Sequence, residues 1–173
     1  MDLAELHMGI FSFIFGKRVT QVISVKPPES DNSDHLGRAA MAGTKAKAAV
    51  QERRLDDAWR LFHVQKQHYQ KHALRYGMTP RQTIALDGSV HEHLANIRRL
   101  ENKHDDALIH MLYCVISNTR PTKAQAKKIA AYFSRCEFIG PDAAALTSFV
   151  DASRESPDFP RIQARVAAWR RSA

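Results

Sequence analysis

From Asp34 onward, apolar side chains return at three- and four-residue intervals, and the runs are separated by turns rich in Gly, Pro, Asn and Ser. A half-buried strand needs apolar and polar residues to alternate with period two, and this region offers no convincing sheet of that kind. The pattern restricts it to helices joined by short turns. The expected fold class is all-α: helical hairpins stacked as a short repeat-like array, or an irregular helical bundle, preceded by an extended N-terminal arm. Six or seven helices are expected.

Three segments follow from composition. Residues 1–25 form an apolar arm, in which Ile10, Phe11, Phe13, Ile14 and Phe15 make a knot and Val19, Val22, Ile23 and Val25 favour extended backbone. Residues 26–34 read as a linker, with Pro27-Pro28 followed by small polar residues. Residues 35–173 are the helical domain. The knot is too short to cross a bilayer, and Lys17 and Arg18 follow it in place of a small-residue cleavage site. A cytoplasmic location is expected, with the arm docking on the domain or on a second copy of the chain. Peripheral membrane contact through the arm is the weaker alternative.

Local chemistry marks the helix ends. Structure should restart near Asp34. Thr44 to about Tyr76 is helix-forming, either as one long helix or, if it breaks near Arg53-Arg54-Leu55, as a hairpin of two shorter ones; Ala46, Ala49, Val50, Leu55, Ala58, Phe62, Ala73 and Leu74 supply its apolar positions. Gly77 stops it, and Thr79-Pro80 reads as a cap plus first-turn proline. Asp87-Gly88-Ser89 reads as a turn, with Ser89 capping a helix from Val90 to about Glu101 through a box with Glu92. Further helices are expected from Asp105 to Ser117, after Thr122 with Ala126, Ile129, Ala130 and Phe133 inward, through Leu146, Phe149 and Val150, and through Ile162, Val166 and Trp169.

Two stretches share a layout: Arg53–Phe62 and Asn102–Met111 each place a polar turn, two acids and an alanine, with a bulky residue four positions after it. The second, with Leu94 and Ala95 before it and Ala107, Met111 and Cys114 within it, resembles the tetratricopeptide repeat family over Leu94–Ile116, with a half-match over Arg53–Phe62. The resemblance implies paired helices whose small side chains allow close crossing. Arg98 stands where that family would place an aromatic, Asn102 replaces a turn glycine, and Lys45 takes the place of Leu94 in the first unit. Ala58 and Ala107 lie 49 residues apart, against a period near 34. Either Gly77–Ser89 is an insertion in one unit, or the likeness is that of amphipathic hairpins in general.

Lysine and arginine number 26 against 18 acids, a formal net charge of +8. The surplus is spread out: residues 59–104 carry eight basic against three acidic side chains, with no solid basic tract. Such a balance favours acidic partners. Asp56-Asp57 and Asp105-Asp106 sit at helix starts, where the backbone dipole favours them structurally. Nine histidines include His91 and His93, which i,i+2 spacing points apart, and His68 and His72, which share a face. No His-Glu-x-x-His, Gly-rich phosphate loop or Gly-x-Ser-x-Gly motif is present. Cys114 and Cys136 read as buried free thiols. No catalytic residue, cofactor or metal is therefore expected.

The expected function is non-enzymatic: a protein-protein interaction or adaptor module that binds an acidic or amphipathic partner segment. Arg60, Arg98, Arg99 and Lys103 would form its basic rim, and Trp169 would either cap the helical array or grip the partner. The alternative is a nucleic-acid-binding regulatory protein using a basic helical face, with self-association through the N-terminal arm as an additional partner mode. An enzyme site assembled only by folding stays open as a third class.

Overall fold

The computed structural model describes residues 34–171, and these form seven helices. The N-terminal arm and nearly all of the linker lie outside the described residues. The helices are α1 (His35–Gln51), α2 (Leu55–Arg75), α3 (Pro80–Leu100), α4 (His104–Ser117), α5 (Lys123–Arg135), α6 (Ala143–Ser153) and α7 (Phe159–Arg171). The fold is all-α.

The helix starts follow from the caps. The Asp34 side chain accepts from Gly37 N–H, Thr79 and Thr122 each form a reciprocal box with the glutamine three residues on, and Asp142 accepts from Ala145 N–H. The Asp34 cap starts α1 earlier than Thr44, so the first helix carries an alanine face of Ala39, Ala42, Ala46 and Ala49 against α2. Small side chains there let the two backbones approach closely. The break at Arg53 is realised as a turn, and α1 and α2 pair as a hairpin.

α3 and α4 form the second hairpin, and its turn repeats the first. Glu52, Arg53 and Arg54 N–H donate to the carbonyls of Ala48, Val50 and Ala49 at 3.0, 3.1 and 2.9 Å; Glu101, Asn102 and Lys103 donate to Ile97, Arg99 and Arg98 at 3.0, 3.1 and 2.9 Å. Every donor and acceptor is displaced by the same interval that separates Ala58 from Ala107, and both alanines are fully buried. Gly77–Ser89 is no inserted loop, since α2 and α3 are each 21 residues long and most of that stretch is helix. Arg53 and Asn102 sit at φ of 62° and 61°. Asparagine tolerates this left-handed conformation far better than arginine does. Arg53→Gly should therefore raise stability by about 1 kcal/mol and Asn102→Gly by less, read as a shift in the urea midpoint at constant slope.

The expected turn at Asp87-Gly88-Ser89 does not form. α3 runs through it unbroken, Gly88 is buried, and Ser89 Oγ donates back to the Leu86 carbonyl at 2.6 Å instead of capping a helix. A Cβ on Gly88 would come within 2.4 Å of Ser117 Cβ, so this glycine permits the crossing of α3 over α4. Glu92, freed from the expected box, pairs with Lys128 and accepts from Gln125 on α5.

α4 is the centre. Ala107 through Ser117 are all buried, because α3, α5, α6 and α7 pack around it. One apolar cluster joins α4 to Ile129, Tyr132, Leu146, Phe149, Ile162, Val166 and Trp169; a second joins Ala46, Ala49, Ala58, Phe62, Val90, Leu94 and Ile97 across the first three helices. On α5 the inward face is Ile129 and Tyr132, with Phe133 half-buried, whereas Ala126 and Ala130 face solvent. Of the apolar positions expected in the first hairpin, Leu74 is 84% exposed. Cys114 and Cys136 are free, buried thiols, and burial pushes them up to about 11 and about 12. Among the described residues no helix is long and apolar enough to cross a membrane.

Candidate functional site

Two clefts flank α3 on different faces. The first is a cavity of about 510 Å³ between α3 and α5. On α3, Glu92, Asn96 and Arg99 share one face at i,i+4 and i,i+3; on α5, Lys128, Tyr132 and Arg135 do the same. Lys128 is bound to Glu92. Arg99 donates only to its neighbour Asn96, from Nε at 3.3 Å and Nη2 at 2.9 Å. Arg135 donates to the Ala131 carbonyl at 3.3 Å, with its guanidinium 5.8 Å from the centre of the Tyr132 ring. Neither arginine has a carboxylate partner among the described residues, so the cleft holds two uncompensated positive charges. Burial pulls the His93 imidazole below its ordinary value, and nearby Lys47 adds to that.

The second cleft, of about 420 Å³, lies where α2, α3, α4 and the start of α7 meet. Its floor is a polar chain. Lys66 Nζ lies 2.7 Å from His91 Nε2 and 3.3 Å from Asp87 Oδ1, while Asp87 Oδ2 stands 3.5 Å from His91 Nε2, too far for a good hydrogen bond. An ammonium can only donate, so His91 Nε2 accepts and its proton sits on Nδ1. That Nδ1–H points at His110 Nδ1, 3.0 Å away, which must accept in turn and leaves the His110 proton on Nε2.

Electrostatics favour the uncharged form of both imidazoles in this chain. Burial, then the neighbouring His91, Lys66, Arg98 and His63, pull the His110 imidazole down to about 3. Burial also holds His91 and His63 below their ordinary values. At Asp87 burial pushes the carboxyl up, but His91 and Lys66 outweigh it and hold it down. Burial, with Asp87 alongside, raises the Tyr113 phenol to about 12. Among the described residues no group of three or more His, Cys, Asp or Glu side chains is placed to hold a metal.

The residues singled out from the sequence scatter. Arg99 lines the basic cleft. Arg98, one position earlier, turns to the histidine cleft, where its guanidinium stacks 3.8 Å from the centre of the Trp59 ring and pairs with Glu101 at 2.7 Å. The guanidinium is placed for a cation–π contact with that ring. Lys103 shares Glu101 at 3.3 Å, and Arg60 is exposed and paired with Asp57. Arg98 and Lys103 thus meet on one carboxylate, while Arg99 faces the other cleft and Arg60 is held by Asp57. Trp169 is buried against Phe133, Phe138 and Phe149, so it packs the core and presents no anchor. His91 and His93 point apart as i,i+2 residues must, His93 stacking on Phe62. Of the residues on this floor, His110 and Tyr113 carry no signal in the sequence, Asp87 reads there as part of a turn, and His91 only as a histidine pointing away from His93. The one local signal, Asp87 four residues before His91 on a helix, is visible only if α3 is unbroken.

No family model matches the chain, and no curated protein or solved structure matches it either.

Proposed function

We propose that the protein is a non-enzymatic interaction module that binds an acidic segment of a partner protein in the cleft between α3 and α5. The observation that carries this reading is the pair Arg99 and Arg135, which line one cleft without a carboxylate of their own. Planar guanidiniums suit carboxylates, because two parallel N–H groups meet two oxygens. Lys128, paired with Glu92, ties the two walls of the same cleft together. Those walls are α3, from the second hairpin, and α5, both of which pack on the buried α4.

A fluorescein-labelled hexaglutamate peptide tests the reading by anisotropy. Binding should weaken as salt rises, and Arg99→Glu with Arg135→Glu should lower affinity about tenfold or more, at roughly 1 kcal/mol for each exposed charge removed and a repulsion added. Arg60→Glu, on a different surface, should leave it unchanged. Tighter binding of a single-stranded thymidine oligonucleotide at the same two arginines would replace this reading with the nucleic-acid one, in which Tyr132 stacks a base. Binding of both probes untouched by the double reversal would exclude both.

A further inference from the structure

The histidine cleft is independent of the basic one and has a different chemistry. Rings wall it: His91 packs on Tyr113 with centroids 4.5 Å apart, His110 lies 5.3 Å from Phe159 and 5.5 Å from Trp59, and Tyr113 meets Phe159 at 5.4 Å. Its charges cancel internally. Lys66 lies against Asp87, and Arg98 pairs with Glu101 and stands 4.0 Å from Asp106. The imidazoles on its floor are neutral, so an ionic ligand finds no uncompensated charge there.

Two donors are left over, together with one acceptor, the buried Asp87 Oδ1, which lies against Lys66 without a hydrogen bond. The tautomer chain that runs from Lys66 through His91 places the His110 proton on Nε2, and that nitrogen makes no hydrogen bond among the described residues, which leaves it free to meet a ligand in the cleft. Arg98 Nε is buried and likewise has no hydrogen-bond partner. Both side chains line this cleft. A buried donor without an acceptor is costly, and a ligand that brings acceptors recovers that cost. The volume is that of a small-molecule site, and its rings stand among polar groups that are largely paired with one another.

We infer that this cleft is a binding site for an uncharged, planar ring compound bearing hydrogen-bond acceptors, held between aromatic walls and receiving a hydrogen bond from neutral His110 Nε2–H. The walls select flatness and lack of charge. The fixed tautomer selects an acceptor over a donor, because His110 Nδ1 is already occupied by His91.

Coumarin, a neutral fused lactone, and naphthalene, its shape match without acceptors, test this on the full chain. Affinities come from calorimetry, and the site comes from the ¹H–¹⁵N resonance of Arg98 Nε, identified by its loss in Arg98→Lys. Coumarin should bind saturably, shift that resonance, and bind at least fivefold more tightly than naphthalene. His110→Phe keeps a ring and removes the donor, so it should bring the two affinities together. Equal affinity in the wild-type protein, shifts confined to other arginines, or no saturable coumarin binding would overturn the inference. If His110→Phe fails to fold, the wild-type comparison at Arg98 Nε decides alone.

Discussion

Acidification should begin to destabilise this protein above the range where its carboxylates protonate, and His110 should be the main reason. In the folded chain its imidazole is held down to about 3, against an ordinary value of 6.5. The unfolded state therefore binds a proton across that whole interval while the folded state does not. Stability is complete above pH 6.5 and falls as pH drops toward 3, by about 1.4 kcal/mol per pH unit for one such group. Geometry supplies the cause. Protonating His110 puts a hydrogen on Nδ1, where the His91 Nδ1–H already points from 3.0 Å away, and brings a charge beside Lys66 and Arg98. His91 and His63 are displaced in the same direction and steepen the slope.

The measurement is urea unfolding at pH 6.5 and pH 4. The wild-type chain should lose on the order of 3 kcal/mol between them, a large share of the stability of a domain this size. His110→Phe should lose distinctly less, whatever its stability at pH 6.5, because the slope and not the absolute value is compared. Parallel slopes in the two proteins would show that His110 stays in contact with water and that the tautomer chain is not maintained.

Local features of the fold were legible where their chemistry is local. Thr79-Pro80, Thr122 and the restart at Asp34 announce helix starts through caps that bind a backbone three residues away, and all three do so. Gly77 at φ 59° ends α2 as its lack of a side chain allows. The pairing of the hairpins was readable from the repeated turn and its acids. The way helix faces meet was not. On α5 the choice of Tyr132 over Ala130 as the inward residue depends on what α4 presents, and no periodicity in α5 alone contains it.

The clefts were hidden for the same reason in a sharper form. Asp-Gly-Ser has one local signature whether the glycine frees a turn or admits a neighbouring helix, and only Ser117 on α4 decides between them. Reading it as a turn separates Asp87 from His91 and dissolves the one sequence-local pair in the histidine cleft. Lys66, His110 and Tyr113 then come from other helices. Arg98 and Arg99 illustrate the limit from the other side: adjacent in sequence and alike in charge, they point to different clefts because consecutive helical positions diverge by about 100°.

Gly88→Ala is the substitution in which these two readings predict opposite signs. In an exposed turn, or in a helix free of neighbours, alanine is neutral or gains about 1 kcal/mol over glycine. At the crossing of α3 and α4 its Cβ would lie 2.4 Å from Ser117 Cβ and 2.9 Å from Ser117 Oγ, and a Cβ cannot rotate away from another Cβ. The helices must part, at the 1–3 kcal/mol typical of overpacking. The gap is short enough to place the net loss near the upper end, about 2–3 kcal/mol even after the propensity gain. Ser117→Gly removes the obstructing atom, so the double variant should recover more than half of the loss, a coupling that a double-mutant cycle reads directly. The same separation would draw His91 on α3 away from His110 on α4. Gly88→Ala should therefore also flatten the stability profile between pH 6.5 and 4, and Ser117→Gly should restore its slope. A stable Gly88→Ala protein with an unchanged profile would mean that the helices do not cross closely here and that the histidine chain does not depend on their approach.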